Sequence, residues 1–205
     1  AEGQCGIGME LASRASARRP RDVTKPQDRS QAVISFRMPA DAVVSDQSKA
    51  FMKFLLTNDD GIEAPGLAAF RAALSQFGEV LVVAPDSALS GCSHQVTAHK
   101  DLTLVARGTG QFALDGTPAD VVALSHLQAD IDWVCSGINH GGNLGVDVFL
   151  SGTVAAARES VLLGKPAIAI SQYRRMRDYD RWEMSSQWCG PLLDSLLARP
   201  IEPGQ

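Results

Sequence analysis

The sequence predicts an α/β fold built on an open and mostly parallel β-sheet. Short apolar runs with the length of buried strands alternate along the chain with segments of helical periodicity, a pattern typical of βαβ units. Polar residues and glycines follow several of these strands directly, at the position where open parallel sheets bind ligands. With 205 residues, of which 45% are hydrophobic, the chain is long enough for one globular domain with a sizeable core.

Residues 1–50 differ in composition from the rest of the chain. They are rich in Arg, Ser, Asp, Gln and Ala and show no sustained periodicity. We therefore expect a flexible, disordered N-terminal extension before one α/β domain over residues 51–205. A basic targeting or docking arm is the alternative, although acidic residues among the arginines count against it.

Charge and composition exclude some classes of function. The net charge of −4 argues against a nucleic-acid-binding surface, which would need clustered Lys and Arg. No apolar run approaches the length of a membrane span and no signal-peptide pattern opens the chain, so we expect a cytoplasmic protein without a membrane partner. The four cysteines form no CxxC pair and no zinc-spaced cluster with histidine, and we interpret them as buried or incidental thiols.

The first predicted strand, residues 53–57, is apolar enough to be buried on both faces, and it ends at Asn58-Asp59-Asp60-Gly61. Two adjacent carboxylates repel each other unless a cation lies between them, and Mg²⁺ or Mn²⁺ prefers oxygen ligands. This pattern indicates a metal site. The same residues also favour an ordinary turn, and that interpretation stays open.

A helix and a second strand follow the polar cluster. Pro65 suits the first turn of a helix that Gly78 would close. The apolar positions of this helix repeat at helical spacing, at Leu67, Phe70, Leu74 and Phe77. Residues 79–84 then predict a buried strand, which leads into a loop through Ser90 and His94.

The middle of the chain predicts a hairpin, a helix and a third buried strand. Residues 102–107 and 111–114 flank a Gly-Thr-Gly turn and suggest a hairpin at the edge of the sheet. Thr117 is a good N-cap for a helix that extends to about residue 128, and a strand follows over residues 131–135.

Residues 136–153 form the longest stretch of Gly, Asn and Ser in the chain. Such a segment permits close approach of the backbone to a ligand, with an ordinary flexible loop as the alternative. It leads into a helix over residues 154–163, whose N-terminus would suit a phosphate. Gly164 stops that helix, a strand is expected over residues 167–171, and a last helix with apolar and aromatic core positions is expected over residues 181–199.

Three loops at the carboxyl ends of predicted strands therefore carry an Asp pair, a Ser-Gly stretch and an Asn-Gly stretch. Because a parallel sheet brings such loops to one edge, they indicate a metal held by oxygen atoms beside an anion site. This combination is suited to the hydrolysis of phosphate esters.

The chain also carries five motifs in a fixed order, which are TNDDG (57–61), VVAPD (82–86) followed by Ser90-Gly91, GTPAD (116–120), SGIN with GGN (136–143) and SGTVAAA (151–157). Their order and spacing resemble those of the SurE family of survival proteins, which are metal-dependent 5′-nucleotidases. The resemblance covers residues 52 to about 171.

The resemblance implies a Rossmann-like three-layer sandwich that hydrolyses nucleoside 5′-monophosphates, with 3′-nucleotidase or exopolyphosphatase side activity. By position, it implies that one Mg²⁺ or Mn²⁺ is held by Asp59, Asp60, Ser90 and Asn139. It places substrate contacts at Asn58, His94, Asn143, Ser151, Gly152 and Thr153. We expect water activated at the metal to be the nucleophile, with one carboxylate of the catalytic pair Asp59 and Asp60 as its base.

Two departures from the family pattern bear on these expectations. Gly142 replaces a proline that is usual in the family, which should loosen the loop without removing a ligand. The chain also ends at Gln205, before the carboxyl-terminal part of family members. We therefore expect the late strands and the arms that form the family's homodimers and homotetramers to be missing.

Two other functions are alternatives to the nucleotidase. A phosphoacceptor signalling domain also has paired acidic residues after its first strand, but no phosphoacceptor Asp follows a third central strand here. A catalytically impaired or dead SurE-like fragment could act only in binding or assembly. The presence of every proposed ligand argues against such a fragment, and the early end of the chain argues for it.

Overall fold

The computed structural model describes residues 52–128, 130–173 and 181–199. The expected N-terminal extension, residues 1–50, lies outside the described residues, and so does Cys5. The boundary between this extension and the α/β domain therefore stays a prediction.

Six strands form one sheet. They are β1 (Met52–Thr57), β2 (Gly78–Pro85), β3 (Leu104–Gly108), β4 (Gln111–Leu114), β5 (Trp133–His140) and β6 (Ala167–Gln172). Their order in the sheet is β3-β4-β2-β1-β5-β6, and every neighbouring pair is parallel except β3 and β4. The predicted mostly parallel sheet and its edge hairpin are thus confirmed.

Helices cover both faces of the sheet. They are α1 (Pro65–Leu74), α2 (Pro118–Gln128), α3 (Asp147–Leu150), α4 (Gly152–Leu162) and α5 (Trp182–Leu197). Helices α1 and α5 pack together on one face, and α2 and α4 pack together on the other. The result is the expected three-layer α/β sandwich. Among the described residues, no helix is long and apolar enough to cross a membrane.

The central strand β1 contributes to both hydrophobic layers, which explains its continuous apolar sequence. Phe54 and Leu56 pack with Phe70 of α1 and Leu193 of α5, whereas Leu55 faces the layer formed with α2 and α4. Alternate side chains of a strand point to opposite faces, so a strand buried on both faces has to be apolar throughout.

The expectation that Gly78 closes the first helix is wrong. Helix α1 ends at Leu74, and Gly78 is instead the first residue of β2, in register with Met52 of β1. A Cβ atom at this position would lie 1.9 Å from the carbonyl oxygen of Met52. Glycine is therefore required here for the close approach of two strands.

The strand predicted over residues 131–135 is longer than expected. Strand β5 continues to His140, five residues beyond the expected end, so that Asn139 lies on the strand. The irregular residue is Gly137, whose φ is +124° and whose Cβ would lie 2.2 Å from the carbonyl oxygen of Ile170. The strand passes this point with a register shift against β6, and only glycine fits there. Helix α3, within the same Gly-rich stretch, was not expected.

The strand order places a topological switch point between β1 and β5. From β1 the chain adds β2 and the hairpin on one side of the sheet, and then returns to form β5 on the other side of β1. In sheets of this kind, the loops after the two strands diverge to opposite faces and leave a crevice for a ligand. The residues that follow β1 and those at the end of β5 meet at this position.

Candidate active site

Asp59 is held by the N-terminus of helix α4. Its side chain is 5% exposed, the backbone N–H of Gly152 donates to Oδ2 at 3.1 Å, and the Thr153 hydroxyl donates to Oδ1. Ser151 caps the same helix by accepting a hydrogen bond from the Val154 N–H at 3.1 Å. The positive end of the helix dipole and these donors compensate the buried charge of Asp59.

Gly152 is required for this arrangement. A Cβ atom at residue 152 would lie 2.6 Å from Sγ of Cys92 and 2.7 Å from Cβ of Asp59. The helix can therefore approach the carboxylate only because residue 152 has no side chain. Burial, followed by the charge of Asp59, raises the pKa of the neighbouring Cys92 thiol, so the thiol stays protonated and uncharged at neutral pH.

Asp60 joins the end of β1 to the end of β5. The backbone N–H of His140 donates to its Oδ2 at 2.9 Å, which brings Asn139 next to the carboxylate pair. Burial and the nearby charge of Asp59 raise the pKa of Asp60, and the hydrogen bond from His140 opposes this shift. The site thus holds more negative charge than its surroundings stabilise, a condition that a cation would relieve.

Ser90 lies on the loop after β2, beside Asp59. The N–H of Leu89 donates to the backbone oxygen of Asp59 at 2.7 Å, and Ser90 is the next residue. Its side chain is exposed at the carboxyl edge of the sheet. This backbone hydrogen bond therefore connects the loop after β2 to the loop after β1.

The two predicted asparagine sites lie on opposite sides of a glycine turn after β5. Asn139 donates from Nδ2 to the backbone oxygen of Gly141 at 2.9 Å, so Oδ1 is the atom of this amide that can coordinate a cation. Asn143 donates from Nδ2 to the Ser171 hydroxyl at 2.7 Å and is thereby fixed to β6.

Asn58 closes the turn after β1. Its Nδ2 donates to the backbone oxygen of Gly61 at 3.0 Å, and the Gly61 N–H donates back to Oδ1 at 3.2 Å. Gly61 has a φ of +101°, which favours glycine. The turn interpretation is therefore confirmed for Asn58 and Gly61, and this turn supports the two carboxylates between them. The substrate contact proposed for Asn58 stays a prediction.

His94 has partners within the protein at both ring nitrogens. Nε2 lies 2.7 Å from Oε2 of Glu159, and Nδ1 lies 3.4 Å from Nη1 of Arg158, both on α4. Its predicted contact with substrate stays a prediction. Sequence reasoning did not identify either partner, because Arg and Glu on a helix surface ordinarily face solvent.

Asp120 was also missed as an organising residue. It is buried and accepts hydrogen bonds from the N–H of Thr97 at 2.8 Å, the hydroxyl of Thr97 at 2.6 Å and the N–H of Thr117 at 2.9 Å. The GTPAD motif that contains it was the available signal. The loop after β2 is thus fastened to the start of α2.

The donor set at the edge of the sheet fits a hard divalent cation. Within the part of the chain that the structure describes, no group of three or more His, Cys, Asp or Glu residues could hold a metal. A cation here would need the two carboxylates together with neutral oxygen ligands, as Ser90 and Asn139 provide. Carboxylate, hydroxyl and amide oxygens are suited to Mg²⁺ or Mn²⁺ and not to the softer metals that thiolates select.

Comparisons with known proteins find several similar chains. A protein of Nostoc sp. is 46% identical over 155 residues, which are 75% of this chain and 68% of the Nostoc protein. The 5′-nucleotidase SurE of Geotalea uraniireducens is 54% identical over 123 residues, which are 58% of this chain and 50% of that protein. The chain thus spans between half and about two thirds of the length of these relatives.

The crystal structure of the SurE protein from Aquifex aeolicus has a similar fold. It matches with a TM-score of 0.68 and 41% sequence identity, over 73% of this chain and 61% of that structure. The family profile described as survival protein SurE matches residues 54–204, which is most of the chain. The chain therefore belongs to the SurE family.

Proposed function

We propose that this chain is a metal-dependent 5′-nucleotidase, which hydrolyses nucleoside 5′-monophosphates to nucleoside and inorganic phosphate. Family membership supports the proposal. Similar proteins from Geotalea, Myxococcus and Idiomarina, each named 5′-nucleotidase SurE, support it as well. The cofactor in this proposal is one divalent ion, Mg²⁺ or Mn²⁺, and the substrate is a nucleoside monophosphate.

Two hydrogen bonds that backbone N–H groups donate carry the proposal. The His140 N–H binds Oδ2 of Asp60 at 2.9 Å, next to Asn139, and the Leu89 N–H binds the backbone oxygen of Asp59 at 2.7 Å, next to Ser90. Three segments that are distant in sequence therefore bring four oxygen-bearing residues to one edge of the sheet. This is the set that would hold the ion.

The two carboxylates have different surroundings and so suit different roles. Asp59 is buried and both of its oxygens bind donors at the start of α4, so it is fixed in place. Asp60 is partly exposed, and its Oδ2 accepts from the backbone of His140, so it is the better candidate to accept a proton from water. A bound divalent ion would polarise a phosphoryl oxygen and lower the pKa of water.

The start of α4 contributes to the site mainly by holding Asp59. The Gly152 N–H and the Thr153 hydroxyl bind that carboxylate, and the Ser151 hydroxyl caps the helix. Direct contacts of these groups with a phosphate stay part of the proposal, as does a contact of Asn143.

Release of phosphate from a panel of 5′- and 3′-nucleotides, with Mn²⁺, with Mg²⁺ and with EDTA, tests the proposal. We expect release from 5′-nucleotides only with a divalent ion, and a loss of about 100-fold or more in Asp59→Asn, because this change removes a fixed charged ligand. Asp194→Asn, an exposed change on α5, is the matched control and should keep full activity. Equal activity of Asp59→Asn and the wild-type chain would overturn the catalytic assignment.

Absence of phosphate release with every metal would overturn the proposed activity and favour the binding or assembly function. Side activity on 3′-nucleotides can be read from the same panel, and adding short polyphosphates to it tests exopolyphosphatase activity. A cytoplasmic location stays a prediction. Light scattering coupled to size-exclusion chromatography tests whether this chain forms the homodimer or homotetramer expected of the family.

A further inference from the structure

The loop between β2 and β3 carries Ser90 but has no regular secondary structure of its own. It extends over residues 86–103, which is long for a connection in a compact α/β domain. A loop of this length holds a ligand accurately only if side chains fasten it to rigid elements. The contacts on both sides of Ser90 therefore determine how firmly this part of the loop is held.

The loop is fastened on both sides of Ser90. Before it, Leu89 binds the backbone of Asp59, and after it, Ser93 binds α3 through its N–H to the oxygen of Leu150 at 3.0 Å and through its hydroxyl to the oxygen of Phe149 at 2.8 Å. His94 follows and supplies the contact with α4, through Glu159 at 2.7 Å. These side chains are only 22% and 17% exposed, so the contact is partly shielded from water.

Ser93 has an unfavourable backbone conformation. Its φ is +55°, in the left-handed region that residues with a side chain seldom adopt. Such a conformation persists only when neighbouring contacts determine it. His94 is the next residue, so the pair formed by His94 and Glu159 helps to hold the loop in this conformation.

Arg158 orients the imidazole of His94. A guanidinium group can only donate, so Nδ1 at 3.4 Å from Nη1 acts as an acceptor and Nε2–H donates to Glu159. The same side chain donates from Nη2 to the backbone oxygen of Val148 at 3.4 Å. Arg158 thus contacts α3 and the loop, and both belong to the surroundings of the site.

We propose that His94 and Glu159, oriented by Arg158, form a tether that positions Ser90 for the divalent ion. The tether rests on the proposed metal site, and it assigns His94 to positioning within the protein and not to contact with the substrate. In this role, neither His94 nor Glu159 would contact the ion or the phosphate. Their effect is transmitted through the backbone of residues 90–94.

The test compares Mn²⁺ affinity, by isothermal titration calorimetry, with hydrogen exchange of the amides of residues 89–94 in the metal-free protein. We expect His94→Ala and Glu159→Ala each to raise the Kd for Mn²⁺ at least about threefold. This is less than the ~10–100-fold loss that follows removal of a group bound directly to a ligand. Exchange of the loop amides should become faster, with the thermal midpoint confirming that each variant is folded.

Three comparisons distinguish a tether from a general loss of structure. His94→Gln keeps an N–H donor and should restore most of the affinity, and the double variant His94→Ala, Glu159→Ala should lose no more than either single variant. His99→Ala, an exposed histidine in the same loop, is the matched control and should leave Kd and exchange unchanged.

Wild-type affinity and wild-type exchange in His94→Ala and Glu159→Ala would overturn the tether. Additive losses in the double variant, or an equal loss in His99→Ala, would overturn it as well. If the wild-type chain binds no Mn²⁺, the proposed metal site is wrong. The exchange measurement still tests the tether, because faster exchange in the two alanine variants would support it and unchanged exchange would overturn it.

Discussion

Adding one methyl group at residue 152 should displace the carboxylate of Asp59. In Gly152→Ala, the new Cβ would lie 2.6 Å from Sγ of Cys92 and 2.7 Å from Cβ of Asp59. Ordinary contacts between such atoms are about 3.5–4.0 Å, so the start of α4 and Asp59 have to separate by roughly 1 Å. The hydrogen bond from the Gly152 N–H to Asp59, now 3.1 Å long, would be lost or weakened.

The cost can be estimated from this overlap. Overpacking in a close-packed region destabilises by about 1–3 kcal/mol. For a chain of this size, each kcal/mol lowers the thermal midpoint by about 2–4 °C. Because Asp59 is a proposed ligand, we expect a rise of more than about tenfold in the Kd for Mn²⁺.

Urea unfolding followed by circular dichroism, and calorimetric titration with Mn²⁺, measure the two effects. Gly108→Ala is the matched control, because its Cβ would meet only the side-chain nitrogen of Gln111, at 3.6 Å, at the exposed edge of the sheet. It should change stability by less than about 0.5 kcal/mol. Combining Gly152→Ala with Cys92→Ala should recover only part of the loss, because the clash with Asp59 remains. Wild-type stability and affinity in Gly152→Ala would refute the reasoning.

Three further predictions follow from the same structure. Thr153→Val should cost about 1.5–3 kcal/mol of unfolding free energy, because it removes a donor to buried Asp59. On urea unfolding, Thr153→Ser should lose less because it keeps the hydroxyl, and a larger loss in the serine variant would contradict this. The pKa of Asp60 is raised in the folded chain. Between the ordinary pKa of an Asp side chain, near ~4, and this raised value, the folded chain binds more protons than the unfolded chain, so stability falls as pH rises through that window. Asp60→Asn without metal should therefore be more stable than wild type at pH ~7, by less than about 1 kcal/mol because solvent screens this partly exposed group, with no gain below pH ~4. Thermal melts in EDTA across this range would disprove this if the gain were absent or reversed. Leu193 on α5 is 0% exposed, so Leu193→Ala should cost about 2–5 kcal/mol of unfolding free energy, whereas the neighbouring Leu192 is 46% exposed and Leu192→Ala should cost far less. Equal losses of stability on urea unfolding would argue against the packing of α5.

Much of the fold could be predicted because its signals are local. The apolar run of β1, the Thr117 cap and the Gly164 stop each lie within a few residues of the element that they define, and all three agree with the structure. Gly137 was misleading, since a glycine with a φ of +124° inside a strand has the same sequence pattern as a loop.

The site was predicted as separate parts and not as one assembly. The sequence indicates a carboxylate pair for a metal and a helix N-terminus for a phosphate, yet the structure joins Asp59 to Thr153 across 94 positions. Likewise, His94 and Glu159 are 65 positions apart. Local patterns identify residues with suitable chemistry, but pairing between distant segments depends on the packing of the whole sheet.

The strand order also has a consequence for synthesis of the chain. Strand β1 emerges from the ribosome early, but the His140 N–H that binds Asp60 follows 80 positions later. At about 5–20 residues per second, translation of that interval takes roughly 4–16 s. During this time one side of β1 has no neighbour, and an apolar strand with open hydrogen-bonding groups is prone to pair with other chains. The nascent protein therefore passes through a period in which aggregation competes with completion of its own sheet.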